Sequence, residues 1–338
     1  MIYRESIFVF LVFITLSCSK KNNTVYKVSK FPDIQELIWE THTISNSILL
    51  PNTMFTTQNH LIVYKQKESY LFDIFNLEPL EYLYSAGTIG TGPDDFGSLD
   101  ARSFIPQKNG FSVLEAGSHI LKQIEITDKI KIVSAEKIFE EHSASNGFYP
   151  LANNKYIMYG NIEDPNEYYI FNKNNKKMNA FGEYPEWTKN FKPFERFLLG
   201  IKNCVAHPDG KLFAAFYGRM KHIRFYNNDG ILLHDISVNT HPFINNISSL
   251  KPEELATFYL SPQATSKYIY VLCCNKFSGK ESTTPIQELQ VWSWDGTPVK
   301  SYKLNKPVSL IAISEAQQKI YAINQDIDNQ IYTYKLPF

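Results

Sequence analysis

The chain has no net charge to direct it to a polyanion. Lys+Arg number 34 and Asp+Glu also 34. A nucleic-acid binder ordinarily carries a basic face, and a polybasic membrane surface needs clustered Lys and Arg, so neither partner class is expected. Cysteine is scarce, with four in 338 residues. Past Cys18 only Cys204, Cys273 and Cys274 remain, too few for a disulfide framework. Cys273 and Cys274 are adjacent in a strand-like run, where successive side chains point to opposite faces. They read as buried apolar thiols rather than a vicinal disulfide. Paired C-x-x-C or H-x-x-x-H spacings are missing, as are a G-x-S-x-G nucleophile turn and the Gly-Lys-Ser/Thr of a phosphate loop. No metal, cofactor or catalytic residue is therefore assigned. Long helical patterns are nearly absent too. Pro185 to Phe197 and Ser249 to Phe258 are the two candidates, read as insertions of one to three turns.

Long apolar runs are limited to Ile7 to Leu16, ten residues interrupted only by Thr15. That is too short for a bilayer of about 30 Å but suits the apolar region of an export signal. Arg4 precedes it, and Ser17-Cys18-Ser19-Lys20-Lys21 follows. A small residue and then Cys at the end of such a run resembles the lipobox of bacterial lipoproteins, with Thr15 where Leu is usual. That resemblance implies residues 1–17 as signal peptide, Cys18 as the lipid-bearing first mature residue, 18–30 as tether and 31–338 as the folded domain. The alternative is an ordinary cleavable signal with an incidental cysteine. Lys20 and Lys21 are basic where surface-exported lipoproteins of Bacteroidetes tend to be acidic, so a periplasm-facing envelope location is expected.

What the chain does have is strand-forming residues. Hydrophobic content is 43% and aromatic content 14%, with 24 Phe and 21 Tyr. These favour strands and predict an all-β protein. Six copies of one pattern follow each other: an apolar strand, a polar turn, then an aromatic-rich strand. Leu212 to Phe216 with Ile223 to Tyr226 is one copy, and Ile320 to Ile323 with Ile331 to Tyr334 is the last. Asn227-Asn228-Asp229-Gly230 and Asp295-Gly296 mark further hairpins. Recurrence about every 45 to 60 residues points to a propeller rather than a sandwich. A preceding apolar strand completes each unit, as Cys204 to Ala206 does before Leu212. The last copy ends at Phe338 without an outer strand, and Ile34 to Leu50 has strand character without a partner. Joining them closes a six-bladed ring and removes its open edges. Seven blades or an irregular β-array are the alternatives.

Gly87 to Phe96 (GTIGTGPDDF) is similar to the G-x-G-P-x-x-F connector of NHL-type propellers. Ser112 to His119 resembles the strand and turn of the same repeats, with Glu115 where Asp is usual. Trp292 to Pro298, with Ile311 to Ile313 and Ile320 to Ile323, resembles the last blades of TolB-like six-bladed propeller lipoproteins of Bacteroidetes. This resemblance implies protein contacts on one face and peptide capture in the axial channel. No contact residue carries over, because the match lies in the strand framework.

The expected function is therefore a lipid-anchored, non-enzymatic binding or scaffold protein of the cell envelope, its partner an envelope protein or peptide. The alternative is a lactonase- or lyase-like envelope enzyme using the axial pocket. Ser103, Asn203, His207 and Ser309 are the polar residues expected near the axis. Candidate binding residues are Asp94 and Asp95 on the connector, and Trp187 and Phe191 in the insertion Pro185 to Gly200. A second insertion, Asn239 to Phe258, is expected on the same face. Asp94, Asp95 and Asp100 could bind calcium only if the fold gathered them. Gly87, Gly90 and Gly92 are expected in left-handed conformations.

Overall fold

The computed structural model describes residues 25–66, 68–139, 147–240, 247, 255–277 and 287–336. Six antiparallel sheets follow one another as blades of a ring. Blade I comprises Pro51–Thr56, His60–Lys65, Phe72–Asn76 and Glu81–Ala86. Blade II comprises Ile105–Gln107, Gly110–Glu115, Ile120–Ile126 and Ile130–Lys137. Blade III comprises Tyr149–Leu151, Lys155–Tyr159, Asn166–Asn172 and Lys177–Glu183. Blade IV comprises Lys202–Ala206, Leu212–Tyr217, His222–Asn227 and Leu232–Val238. Blade V comprises Ala256–Ala264, Tyr268–Phe277, Glu288–Ser293 and Pro298–Leu304. Blade VI has Leu310–Ser314, Lys319–Ile323 and Gln330–Lys335 from the C-terminus, and its outer strand is Glu40–Thr43 from the N-terminus.

The closing strand pairs antiparallel, Thr43 opposite Gln330 and Glu40 opposite Thr333. Closure is thus as expected, but its extent is narrower than Ile34 to Leu50. Ile34–Leu37 lies instead on blade V, parallel to its outer strand, with Ile34 opposite Ser301. Upstream, Tyr26–Val28 lies parallel to the outer strand of blade IV. Part of the stretch assigned to the tether is therefore paired with a blade. The physical reason is the same in each case: an outer strand has a free row of amide and carbonyl groups, and the passing segment satisfies them. Phe31, Leu37 and Trp39 are buried as the segment passes, Phe31 packing edge-on against Trp292 at 5.2 Å.

The core is divided among the six seams between blades, one apolar cluster in each. Alternation along strands buried on both faces sends Phe72 toward blade II and Phe75 toward blade VI. Trp292, Tyr168 and Tyr332 are all buried in seams, so the aromatic strands are inter-blade packing. Hairpin turns follow the expected chemistry. Gly230 and Gly296 have φ of +80° and +82°, and the strand pairing shifts register just beside each turn. The first insertion carries a 3-10 turn, Glu186–Thr188, and a short helix, Pro193–Leu199, with Pro193 in its first turn. In the second, Ala256 to Phe258 is strand where the tail of a helix was expected. Residues 249–254 lie outside the described residues.

Candidate functional site

The six inner strands surround an axial channel of about 1270 Å³. Its wall is uneven. Blades II and III offer inner strands of three residues, against five to nine in the others. Where blade II falls short, the preceding connector fills the wall with Asp100, Ala101 and Arg102. Asp100 sets that stretch: its carboxylate accepts the Arg102 N–H at 2.9 Å and the Gly147 N–H at 2.5 Å. Ser103 is buried behind it, its Oγ donating to the Asp100 carbonyl and accepting from Leu114 N–H. Of the four polar residues expected near the axis, Asn203, His207 and Ser309 line the channel and Ser103 does not. Asn203 is spent on the Tyr259 carbonyl at 3.0 Å, and His207 on Ser266 and Asp209. Cys204 also reaches the wall, but burial pushes its thiol up to about 12, leaving it inert near neutral pH.

The connector's acidic pair has separate fates. Asp94 is exposed. Asp95 turns inward and holds its own loop, accepting from Thr88 Oγ1 at 2.5 Å and Gly92 N–H at 3.0 Å. These bonds hold its carboxyl below the usual value. Asp95 thus explains two of the glycines: a Cβ on Gly90 or Gly92 would collide with its carboxylate. Only Gly87 of the three has a left-handed φ, +80°, and a Cβ there would sit 2.7 Å from the Phe72 ring. Gly90 and Gly92 are small because of that close approach, which corrects the left-handed expectation for them. Glu115 is likewise structural, accepting from Gly97 N–H, Ser118 Oγ and Lys122 Nζ, each at 2.7 Å. Asp94, Asp95 and Asp100 are not gathered, and no metal-ligating cluster occurs among the described residues.

Trp187 and Phe191 are both half-buried in the first insertion. The Trp187 ring packs edge-on against Tyr217 at 5.8 Å and His222 at 6.2 Å. Beneath it lies a charge network that sequence reading missed. Glu167 of blade III accepts from Lys202 Nζ at 2.7 Å and the Tyr217 hydroxyl at 2.6 Å, with Arg224 Nη1 at 3.4 Å. Arg224 pairs with Asp235 at 3.0 Å, and His222 Nε2 lies 2.6 Å from the other oxygen of Asp235. Burial works to raise the Asp235 carboxyl; His222 and Arg224 outweigh it and hold the group below its usual value. The available signal was charge inside apolar runs, as in Ile223-Arg224-Phe225.

The face bearing the blade-to-blade connectors also displays exposed apolar side chains around the channel mouth. Leu49, Leu50 and Ile327 stand there, and Tyr70 and Ile89 lie farther out on the same face, beside the third and outer strands of blade I. The neighbouring Gln66, Gln325 and Asp326 line the channel itself. Leu50 is 63% exposed and held at φ +45°. Such a conformation costs a non-glycine residue roughly 1–3 kcal/mol.

The family model described as TolB-like 6-blade propeller-like matches residues 30–316. Solved structures that share the fold include two from Bacteroides. One is a Bacteroides fragilis protein named as an exported protein, 11% identical with a TM-score of 0.55, the match covering 93% of this chain and 100% of that one. The other is a member of the DUF4221 family from Bacteroides vulgatus, 11% identical with a TM-score of 0.56, covering 87% and 95%. No curated protein matches the sequence.

Proposed function

Because the chain belongs to the TolB-like six-bladed propeller family, we propose that it is a lipid-anchored envelope protein that captures a partner protein or peptide at its channel mouth. The observation that carries this reading is the fringe of exposed apolar residues around that mouth, with Leu50 displayed in a strained conformation. Strained, exposed apolar groups on loops held by a rigid scaffold are typical of binding surfaces. The anchor is Cys18, and the exported neighbour supports an extracytoplasmic location. Binding, not catalysis, is the role assigned, since the channel's Asp100, Asn203 and His207 are engaged in holding the wall.

The test is site-specific photocrosslinking in native membranes. A photoreactive residue at Leu49 or Leu50 is expected to give a discrete crosslinked partner. One at Asn153, an exposed turn residue on the opposite face, is expected to give none. Equal labelling from both faces, or none from the mouth, refutes the reading.

A further inference from the structure

Arg102 is fixed in the channel wall through its backbone, not through its charge. Its N–H donates to Asp100, and its carbonyl accepts from Phe148 N–H at 3.3 Å. The guanidinium is exposed to the channel and makes no hydrogen bond or ion pair among the described residues. Its contact is the Tyr159 ring, 5.5 Å from Cζ to the centroid. The adjacent phenols have spent their protons elsewhere. Tyr159 donates to the Lys202 carbonyl at 3.2 Å, so the 2.9 Å contact between the two hydroxyls has Tyr149 as donor. Five N–H donors in a rigid fork thus face the channel unused, on a positioned backbone.

Resting on the channel-mouth reading above, we infer that Arg102 is the anchor for a carboxylate carried by the peptide that enters the channel. A guanidinium fork matches a planar carboxylate in two parallel bonds. The surroundings select a single negative charge. Asp100 stands beside the site with its carboxylate committed to two amides, and it opposes a dianion such as phosphate. Lys276 also lines the channel but belongs to blade V, across the ring from blade II, so it does not add to the same point charge. Asn52 and Gln263 line the wall with side-chain amides that have no described partner, and these suit the backbone groups of an extended peptide. The carboxylate has two sources, the peptide C-terminus or an Asp or Glu side chain.

The experiment observes the Arg102 Nε–H by NMR in protein carrying ¹⁵N-arginine, the signal assigned by its loss in Arg102→Gln. Four probes are titrated: acetyl-Ala-Ala-Ala with a free C-terminus, acetyl-Ala-Glu-Ala amide, acetyl-Ala-Gln-Ala amide and inorganic phosphate. At least one carboxylate probe is expected to shift the signal saturably, binding at least about tenfold tighter than the neutral peptide. Which one does so identifies the source. Arg102→Lys, which keeps the charge but loses the fork, should weaken that binding several-fold without changing the melting temperature. Equal response to the neutral peptide, tighter binding of phosphate, or no saturable shift up to about 10 mM overturns the inference. Each of these results leaves the crosslinking test of the mouth standing, so the two readings fail separately.

Discussion

Removing the Glu167 carboxylate should destabilise the ring more than removing both Glu167 and its partner. Glu167 is fully buried and accepts two short bonds, from Lys202 Nζ at 2.7 Å and Tyr217 Oη at 2.6 Å, with Arg224 at 3.4 Å. Glu167→Gln keeps the shape but leaves the Lys202 ammonium buried without its counter-charge. Breaking a buried pair from one side costs about 3–5 kcal/mol. The Tyr159, Tyr168, Tyr184 and Tyr217 rings around Lys202 soften this, since its Nζ lies 4.7 to 5.7 Å from their centroids. The lower end, about 3 kcal/mol, is therefore expected, which corresponds to a drop in melting temperature of about 5 °C for a ring of this size. Glu167→Gln with Lys202→Met removes the stranded charge and should recover more than half of the loss. Thermal unfolding of the wild type, both single variants and the double variant measures the coupling. A double variant no better than the worse single one would mean that the pair is not the unit holding the seam of blades III and IV.

The remaining expectations are separate from that seam. Cys18→Ala should abolish palmitate incorporation and release the protein from the detergent phase; equal labelling of both proteins refutes the anchor. Deleting residues 26–43 while keeping the signal should expose the outer strands of blades IV and V and the third strand of blade VI, and remove Phe31, Leu37 and Trp39 from the core. At about 1.5–3 kcal/mol for each buried side chain, aggregation or a large loss of stability is expected, and a soluble monomer with an unchanged melting temperature counts against closure. Trp187→Ser should cost about 1–2 kcal/mol through lost contact with Tyr217, and unchanged melting would place the ring outside the packing. Asp235 has its carboxyl below the ordinary 3.8, so its contribution is complete above about pH 4 and fades as pH falls through the lowered value. Asp235→Asn should be less stable near neutrality yet show a shallower acid limb; parallel acid limbs would remove Asp235 from the linkage.

The ring was legible because its signals are local. Gly230 and Gly296 sit in hairpins that four or five residues specify, and the alternating aromatic strands announce burial on both faces. Closure was legible from a deficit, a last blade one strand short. What misled was the run Ile34 to Leu50, read as a single strand. Its apolar residues serve two blades, and Trp39 lies between the parts it serves. A parallel edge strand such as Ile34–Leu37 leaves no hairpin turn in the chain to betray its partner.

The charged and binding groups were hidden for a related reason. In a ring of blades, a residue's partner is about one repeat away, on the facing blade. Glu167 meets Lys202 35 residues on and Arg224 57 residues on. Thr56 donates to the Ile313 carbonyl 257 residues away, because blades I and VI adjoin only on closure. Spacing within a motif carries no information about such pairs. Asp94-Asp95 looked like a site because two carboxylates stand together in the chain, yet Asp95 is consumed by Thr88 and Gly92. Arg102 looked unremarkable, and its importance comes from what surrounds it: a short inner strand on blade II, a backbone clamp from Asp100 and Phe148, and phenols already committed to one another. A site in this fold is therefore recognised by which polar groups remain unspent once the wall is built, and in this channel the unspent charge next to the Tyr149–Tyr159 pair is Arg102.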